Sequence, residues 1–382
     1  VTVPATPSAP ESAGPVRDRS PLPDVLRGLA LAGILIVNMQ DFAGFRVWRQ
    51  SGLDGIAQTL TDVLANGRFI SIFAMLFGWG AAGLLARHGA GLFVKRHLIL
   101  LLIGSLHFVL VWHGDIISNY ALLGLSLLLF GSLGVRALLG VAGVSGGWWL
   151  VEKSLDAARS FAYQPLPRSA NLPDLAPGIT YPQVLSERAR EFLPDLLGGS
   201  LYNGFWLLAL FCLGAAAYQT GLLTRPQQHV PLLRRLAVWG TLAGGILGVW
   251  LAYLNTRADF ASALLGIPVR MGGGLAGALG YVGIIGLLTV QGRLGWLKQF
   301  ANSGRIAMSN YLAQSLVMTT LFYPYAGAQW SKWGAASTLA LALAFSAGQV
   351  WLSGLIVQRY GSGPMEKLVR RLVYGSRGEN HA

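Results

Sequence analysis

The 382-residue chain is 53% hydrophobic and only 12% charged, about half the charged fraction of an ordinary soluble domain. Too few charges remain to cover a water-facing surface of this size, which excludes a soluble globular protein and points to a polytopic membrane protein. The formal charge of +13 belongs to topology and anionic headgroups; with no basic stripe interleaved with aromatics on a soluble segment, nucleic acid is not an expected partner.

Residues 1 to 23, rich in Pro, Ala and Ser, predict a disordered cytoplasmic tail. Apolar stretches of about 20 residues then predict an all-α bundle of ten transmembrane helices. They lie near 24–43, 66–86, 97–113, 115–133, 135–151, 200–222, 232–255, 270–290, 303–325 and 334–358. Residues 24 to 358 thus form one membrane domain, and 359 to 382 a second cytoplasmic tail.

The first span lacks an A-x-A-like exit and reads as a retained helix, not a cleaved signal. On it Arg27, Ile34, Asn38 and Asp41 share one stripe, because eleven residues make almost three helical turns. A structural account has Asp24 capping the helix, Arg27 snorkelling to headgroups and Asn38 bonding a neighbour. A functional account makes the stripe a polar cavity wall that binds substrate.

The stretch from His97 to Tyr120, HLILLLIGSLHFVLVWHGDIISNY, sets His107, His113 and Asp115 in an otherwise apolar run. Ionisable groups at membrane depth are costly unless they meet a partner or a wet cavity. Gly114 breaks the helix, and Asp115 is placed to cap the next one, with Asn119 a turn later. The same carboxylate beside an imidazole would fix its tautomer and raise its basicity, as a general base requires. No metal-ligand spacing, Walker loop, dinucleotide fingerprint or nucleophile elbow accompanies it, so no metal is expected.

Residues 152 to 199 form the one sizeable extramembrane loop, broken by prolines in its first part. From Tyr181 to Leu197 it becomes amphipathic, with Val184, Leu185, Ala189, Phe192 and Leu196 on an apolar side and Glu187, Arg188, Arg190 and Glu191 on a charged one. An interfacial helix follows from that pattern. The lone Cys212 lies in an apolar run and reads as a small hydrophobe. Glycines at 240, 244 and 248, and at every third position from 274 to 286, predict closely packed helices. In the ninth span Ser303, Asn310 and Gln314 share a face, with Ser309 and Tyr311 beside it. Interhelical hydrogen bonding is the default reading of such a face and a cavity lining the alternative.

Most of the 29 Lys and Arg residues fall on the side of the two termini if the spans number ten. The positive-inside rule then places both ends in the cytoplasm. Lys95, Arg96, Arg234 and Arg235 lie on that side.

The blocks DVLRGLALAGILIVNM (24–39), FISIFAMLFGWG (69–80), HLILLLIGSLHFVLVWHGDIISNYALLGL (97–125), GRIAMSNYLAQS (304–315) and GPMEKLVRRLVYG (363–375) resemble, in order, the YeiB-like family of bacterial membrane proteins, a domain of unknown function numbered 418. The resemblance implies a multi-pass protein of the bacterial plasma membrane. It also implies a distant relation to transmembrane acyltransferases, which open their first span with an R-G-x-A motif and use a membrane-embedded His. Many of those carry that His near the end of the first span; this chain has Asn38, Met39, Gln40 and Asp41 there.

Three functions follow as expectations. In an acyltransferase, acyl-coenzyme A would be the donor, with Arg27, Lys95, Arg96, Arg234 and Arg235 on its phosphates. His107 or His113 would be the base with Asp115 orienting it, and Asn38, Asp41, Asn119, Asn310 and Gln314 would line the substrate site. A transporter of a small or lipid-like solute is the alternative, although no internal repeat joins the two halves. A non-enzymatic scaffold comes last. Membrane lipids are partners in every case, and self-association into a homo-oligomer is left open.

Overall fold

A computed structural model describes residues 20–163, 166–168 and 175–375. Residues 1 to 19 of the first expected tail and 376 to 382 of the second lie outside these, as does part of the loop near Pro173. Among the described residues the secondary structure is helical, apart from one isolated bridge between Pro167 and Asp259.

Helix α1 (Leu22–Ala43) starts after Pro21, not at a capping Asp24. Pro23 fits the first turn because it has no N–H to waste there. Asp24 instead sits within that turn, where the helix dipole favours an anion, and pairs with Arg27 at 3.0 Å and Arg305 at 3.8 Å. Helix α2 (Gly52–Leu64) leads into α3 (Arg68–Leu110), which bends at Gly89, where φ is +75°. Only glycine adopts that left-handed conformation cheaply. The spans expected at 66–86 and 97–113 are therefore the two arms of one kinked helix.

After a short loop come α4 (Ile117–Gly124), α5 (Leu127–Phe130) and α6 (Val135–Phe161). Helix α7 (Tyr181–Thr220) runs 40 residues without a break, so the interfacial helix and the sixth expected span are a single element. A capping box between Thr180 and Gln183 starts it. Pro194 inside forfeits a backbone hydrogen bond but does not end the helix. The remaining helices are α8 (Val230–Arg235), α9 (Thr241–Thr256), α10 (Phe260–Val290), α11 (Phe300–Arg305), α12 (Ala307–Phe322), α13 (Ala335–Tyr360) and α14 (Pro364–Tyr374).

Among the described residues six helical stretches are long and apolar enough to cross a membrane: Leu22–Ala43, Gly52–Leu110, Tyr181–Thr220, Pro226–Thr256, Phe260–Val290 and Ala335–Tyr360. Length and composition do not establish the expected ten. Ile117–Phe130 is a shorter apolar stretch, and α12 has only 16 residues.

Lipid tails are as apolar as leucine, so these helices associate through close packing, not through hiding oil from water. Glycine supplies the closeness. A Cβ on Gly244 would strike Gly277, one on Gly240 would strike Gly280, and one on Gly214 would strike the Met75 carbonyl of α3. Gly28 and Gly304 bring α1 and α11 into backbone contact in the same way. The glycine faces read from the sequence are thus packing surfaces, Gly244 and Gly277 between α9 and α10, Gly274 against Gly67, Gly248 against Val63 of α2, and Gly283 and Gly286 against Leu233 of α8. One apolar cluster joins α1, α12 and α13 around Met39, Phe42, Trp112 and Tyr323; another joins α3, α6 and α7 around Trp149, Trp206 and Phe211. Between them stands the loop that carries Asp115.

Candidate functional site

Helix α3 ends at Leu110, and residues 111 to 116 turn the chain back into α4. That reversal brings His107 and Asp115 face to face, with Nδ1 of the imidazole 2.8 Å from Oδ1 of the carboxylate. The other carboxylate oxygen accepts from the Ser118 backbone N–H at 2.7 Å and its hydroxyl at 2.6 Å. One Asp therefore does both jobs foreseen for it, since Oδ2 caps α4 and Oδ1 holds the imidazole. His107 is 4% exposed and Asp115 6%. An acceptor at Nδ1 puts the ring proton there and leaves Nε2 with a bare lone pair. Nε2 is enclosed and has no hydrogen-bond partner among the described residues.

Tyr311 of α12 closes this site from the side. Its ring lies 5.3 Å from that of His107, and its hydroxyl donates to the Gly114 carbonyl and accepts from the Ile116 N–H, each at 3.3 Å.

Three cavities with shared walls lie near the dyad; two touch Asp115 and none is lined by His107. The first, about 290 Å³, has Arg27, Arg96, Arg305 and Glu366 among its polar walls and Ile116, Tyr120 and Tyr311 among its others. It shares Ile116 and Tyr120 with a second of about 250 Å³, which touches Asp115 and Asn119. Those two residues also line a third, about 330 Å³, with His113 and Asp195. Arg96 and His107 are eleven residues apart on α3, or roughly 16 Å at 1.5 Å per residue. That is about half the thickness of a hydrocarbon core.

The structure separates the other candidates. His113 faces the third cavity against Trp112, with ring centroids 5.9 Å apart, and is not the partner of Asp115. Asn119 accepts from Ser200 Oγ at 3.0 Å. Asn38 and Asp41 are half-buried on α1 and line none of the three cavities. Asn310 donates to Ser303 and Ser353 and accepts from Gln349, while Gln314 donates to Gln349 at 2.7 Å. Lys95, Arg234 and Arg235 are exposed and do not line the arginine-bearing cavity. No group of three or more His, Cys, Asp or Glu side chains is placed to hold a metal among the described residues.

A family model described as "Protein of unknown function (DUF418)" matches residues 217–376. Uncharacterized protein YxaH of Bacillus subtilis (strain 168) is 29% identical, the alignment covering 92% of this chain and 93% of the relative. Uncharacterized protein YeiB of Escherichia coli (strain K12) is 27% identical, over 93% and 96%. The chain belongs to the YeiB-like DUF418 family.

In this DUF418 chain the matched region supplies Arg305, Tyr311 and Glu366, while the dyad precedes it. Sequence reasoning did not single out Tyr120, Arg305 or Glu366 as cavity residues and saw Tyr311 only as a neighbour of Asn310. The one signal for Glu366 was its place inside the GPMEKLVRRLVYG block.

Proposed function

We propose that this DUF418 protein is an integral-membrane transferase that moves an acyl group from acyl-coenzyme A to a hydroxyl or amine acceptor. The observation that carries the reading is the buried His107–Asp115 pair, with Nε2 unpartnered among the described residues and cavities that reach Asp115 on one side and Tyr311 on the other, although His107 itself lines none of them. Ten crossings of a bacterial plasma membrane, with both termini cytoplasmic, put the arginine-bearing cavity on the side where acyl-coenzyme A is found. Arg27, Arg96 and Arg305 then hold its phosphates, as guanidinium forks do. The acceptor enters past His113 and Asn119.

In the transfer the acceptor's O–H or N–H gives its proton to His107 Nε2 as the oxygen or nitrogen bonds to the thioester carbonyl. The C–S bond then breaks, and the imidazolium returns the proton to the departing thiolate. Asp115 steadies the imidazolium without taking its proton. Tyr120, at the far wall of the first cavity and with its hydroxyl held only by a long 3.5 Å contact to the Ile70 carbonyl, offers that hydroxyl to the developing oxyanion, usually the largest single contribution to such a step. The Tyr311 ring swings aside for the reactants to reach Nε2.

Purified protein incubated with labelled acyl-coenzyme A tests this directly. Binding that weakens in an Arg27→Gln, Arg96→Gln double variant, with acyl transfer lost in His107→Ala, is the expected result. Failure to bind acyl-coenzyme A, or unchanged transfer in His107→Ala, would refute it.

The shared walls of the three cavities favour a second reading, a transporter of a small or lipid-like solute. Flux across proteoliposomes with the solute recovered chemically unchanged would select it over the first.

A further inference from the structure

Arg188 departs from its sequence pattern. The amphipathic reading of α7 puts it on the charged face, yet in the structure it is 3% exposed and lies on the buried side with Val184 and Leu196. Both terminal nitrogens of its guanidinium are enclosed without a hydrogen-bond partner among the described residues. Its contact is the Tyr323 ring, 5.5 Å from Cζ to centroid; the Tyr323 hydroxyl is likewise enclosed, close to the Arg188 guanidinium and within electrostatic range of Asp41 on α1. No ion pair joins Arg188 to a carboxylate among the described residues. Glu187 and Glu191 are exposed, Asp195 is two helical turns further along, and Asp41 of α1, within electrostatic range of Tyr323, makes no ion pair with Arg188.

A guanidinium stays charged at any pH a protein meets. Burying such a charge without an acceptor is among the costliest arrangements in a fold, and a face-on aromatic ring recovers only part of the loss. The missing partner has a definite chemistry, because two parallel N–H groups match the two oxygens of a carboxylate or phosphate. The position is equally telling. Phe192, one turn along the same face of α7, and His113, within electrostatic range of Arg188, both line the cavity that reaches Asp115.

We infer that Arg188 and Tyr323 form an anion site for a carboxylate or phosphate group beside that cavity, behind the Phe192 and His113 side chains that line it. Resting on the proposed transfer reaction, it identifies the acceptor as an anionic molecule, held by its charged group while its hydroxyl or amine points towards His107. The oxyanion belongs either to a free solute or to a lipid headgroup.

Thermal melting of the full-length protein tests the site without any turnover. In phosphatidylcholine nanodiscs, sodium phosphate or sodium acetate is titrated against sodium chloride at equal ionic strength; a parallel set contains phosphatidylglycerol. A saturable rise in Tm with phosphate or acetate is expected, with apparent affinity about tenfold or more weaker in Arg188→Gln and several-fold weaker in Tyr323→Phe. A rise confined to phosphatidylglycerol discs, and lost in Arg188→Gln, identifies a lipid headgroup as the source. Without anion, Arg188→Gln is expected to melt no lower than the parent, because it removes an unpaired charge. A marked fall in its Tm or a failure to fold would show that Arg188 serves the fold and overturn the proposal. So would the absence of an Arg188-dependent rise in every set. A protein that binds the anion but transfers no acyl group would refute the transferase alone.

Discussion

Glu366 of α14 caps a helix that begins 59 residues before it, at Ala307. Its Oε1 accepts from the backbone N–H of Met308 at 2.8 Å and of Ser309 at 3.1 Å, while Oε2 takes the Ser309 hydroxyl at 2.6 Å. The first turn of α12 has no capping side chain of its own, and a carboxylate there satisfies free N–H groups and opposes the helix dipole. Because Glu366, Arg305 and Met308 share the first cavity, this cap also fixes that cavity's wall. Glu366→Ala is expected to cost about 1–2 kcal/mol and to speed amide exchange at residues 308 to 310, with Glu366→Gln intermediate. Unchanged exchange in Glu366→Ala would show that the contact holds nothing in place.

The glycine contacts make a prediction about stability alone. A Cβ on Gly214 would overlap the Met75 carbonyl, and one on Gly78 would overlap Phe211, so α3 and α7 would have to part. Gly214→Leu should lower stability by about 3 kcal/mol or more, at the upper end of overpacking effects. Gly140 meets nothing within 4 Å and serves as the control. Gly140→Ala should be neutral or stabilising by about 0.5–1 kcal/mol through helix propensity. Equal melting temperatures for Gly214→Leu and the parent would contradict the close approach.

Glycine spacing was legible because it repeats along one helix, and the same holds for the apolar span of α1. What the sequence hid depends on contacts between distant segments. His107 and His113 both precede Asp115, by eight and two residues, and only the turn at 111 to 116 decides that the more distant His107 receives the carboxylate. Arg188 fits a charged stripe by its neighbours, yet α7 presses that turn against Tyr323. The expected boundary between a loop ending at 199 and a span starting at 200 is absent, because the helix tolerates the one hydrogen bond lost at Pro194 and continues to Thr220. Tyr311 and Glu366 gained their roles from partners about 195 and 57 residues away, beyond the reach of any periodicity.

Asn310, Gln314 and Gln349 tie α12 to α13, and Gln314 also reaches the Leu31 carbonyl of α1 at 3.5 Å. Their amide NH₂ groups are spent on these contacts between helices. Gln314→Leu should therefore reduce stability by about 1 kcal/mol, the usual size of an interhelical hydrogen bond in lipid. KM for either substrate should stay within twofold. A large rise in KM with unchanged stability would place Gln314 at the substrate instead.

The dyad gives the sharpest expectation. Replacing His107 with Ala removes the lone pair that accepts the acceptor's proton, and transfer should fall by about 10²–10⁴-fold. Asp115→Asn separates the carboxylate's two duties. An amide oxygen turned to Ser118 still accepts the N–H that caps α4, so the fold should survive with a loss of about 1 kcal/mol. Its NH₂ then faces Nδ1, which favours the tautomer with the proton on Nε2, where no base remains. Activity in Asp115→Asn should therefore fall nearly as far as in His107→Ala, and the double variant should be little worse than either single one, since the two residues act as a unit. Multiplying losses in the double variant would mean that His107 and Asp115 act independently, and the hydrogen bond between them would then be structural only.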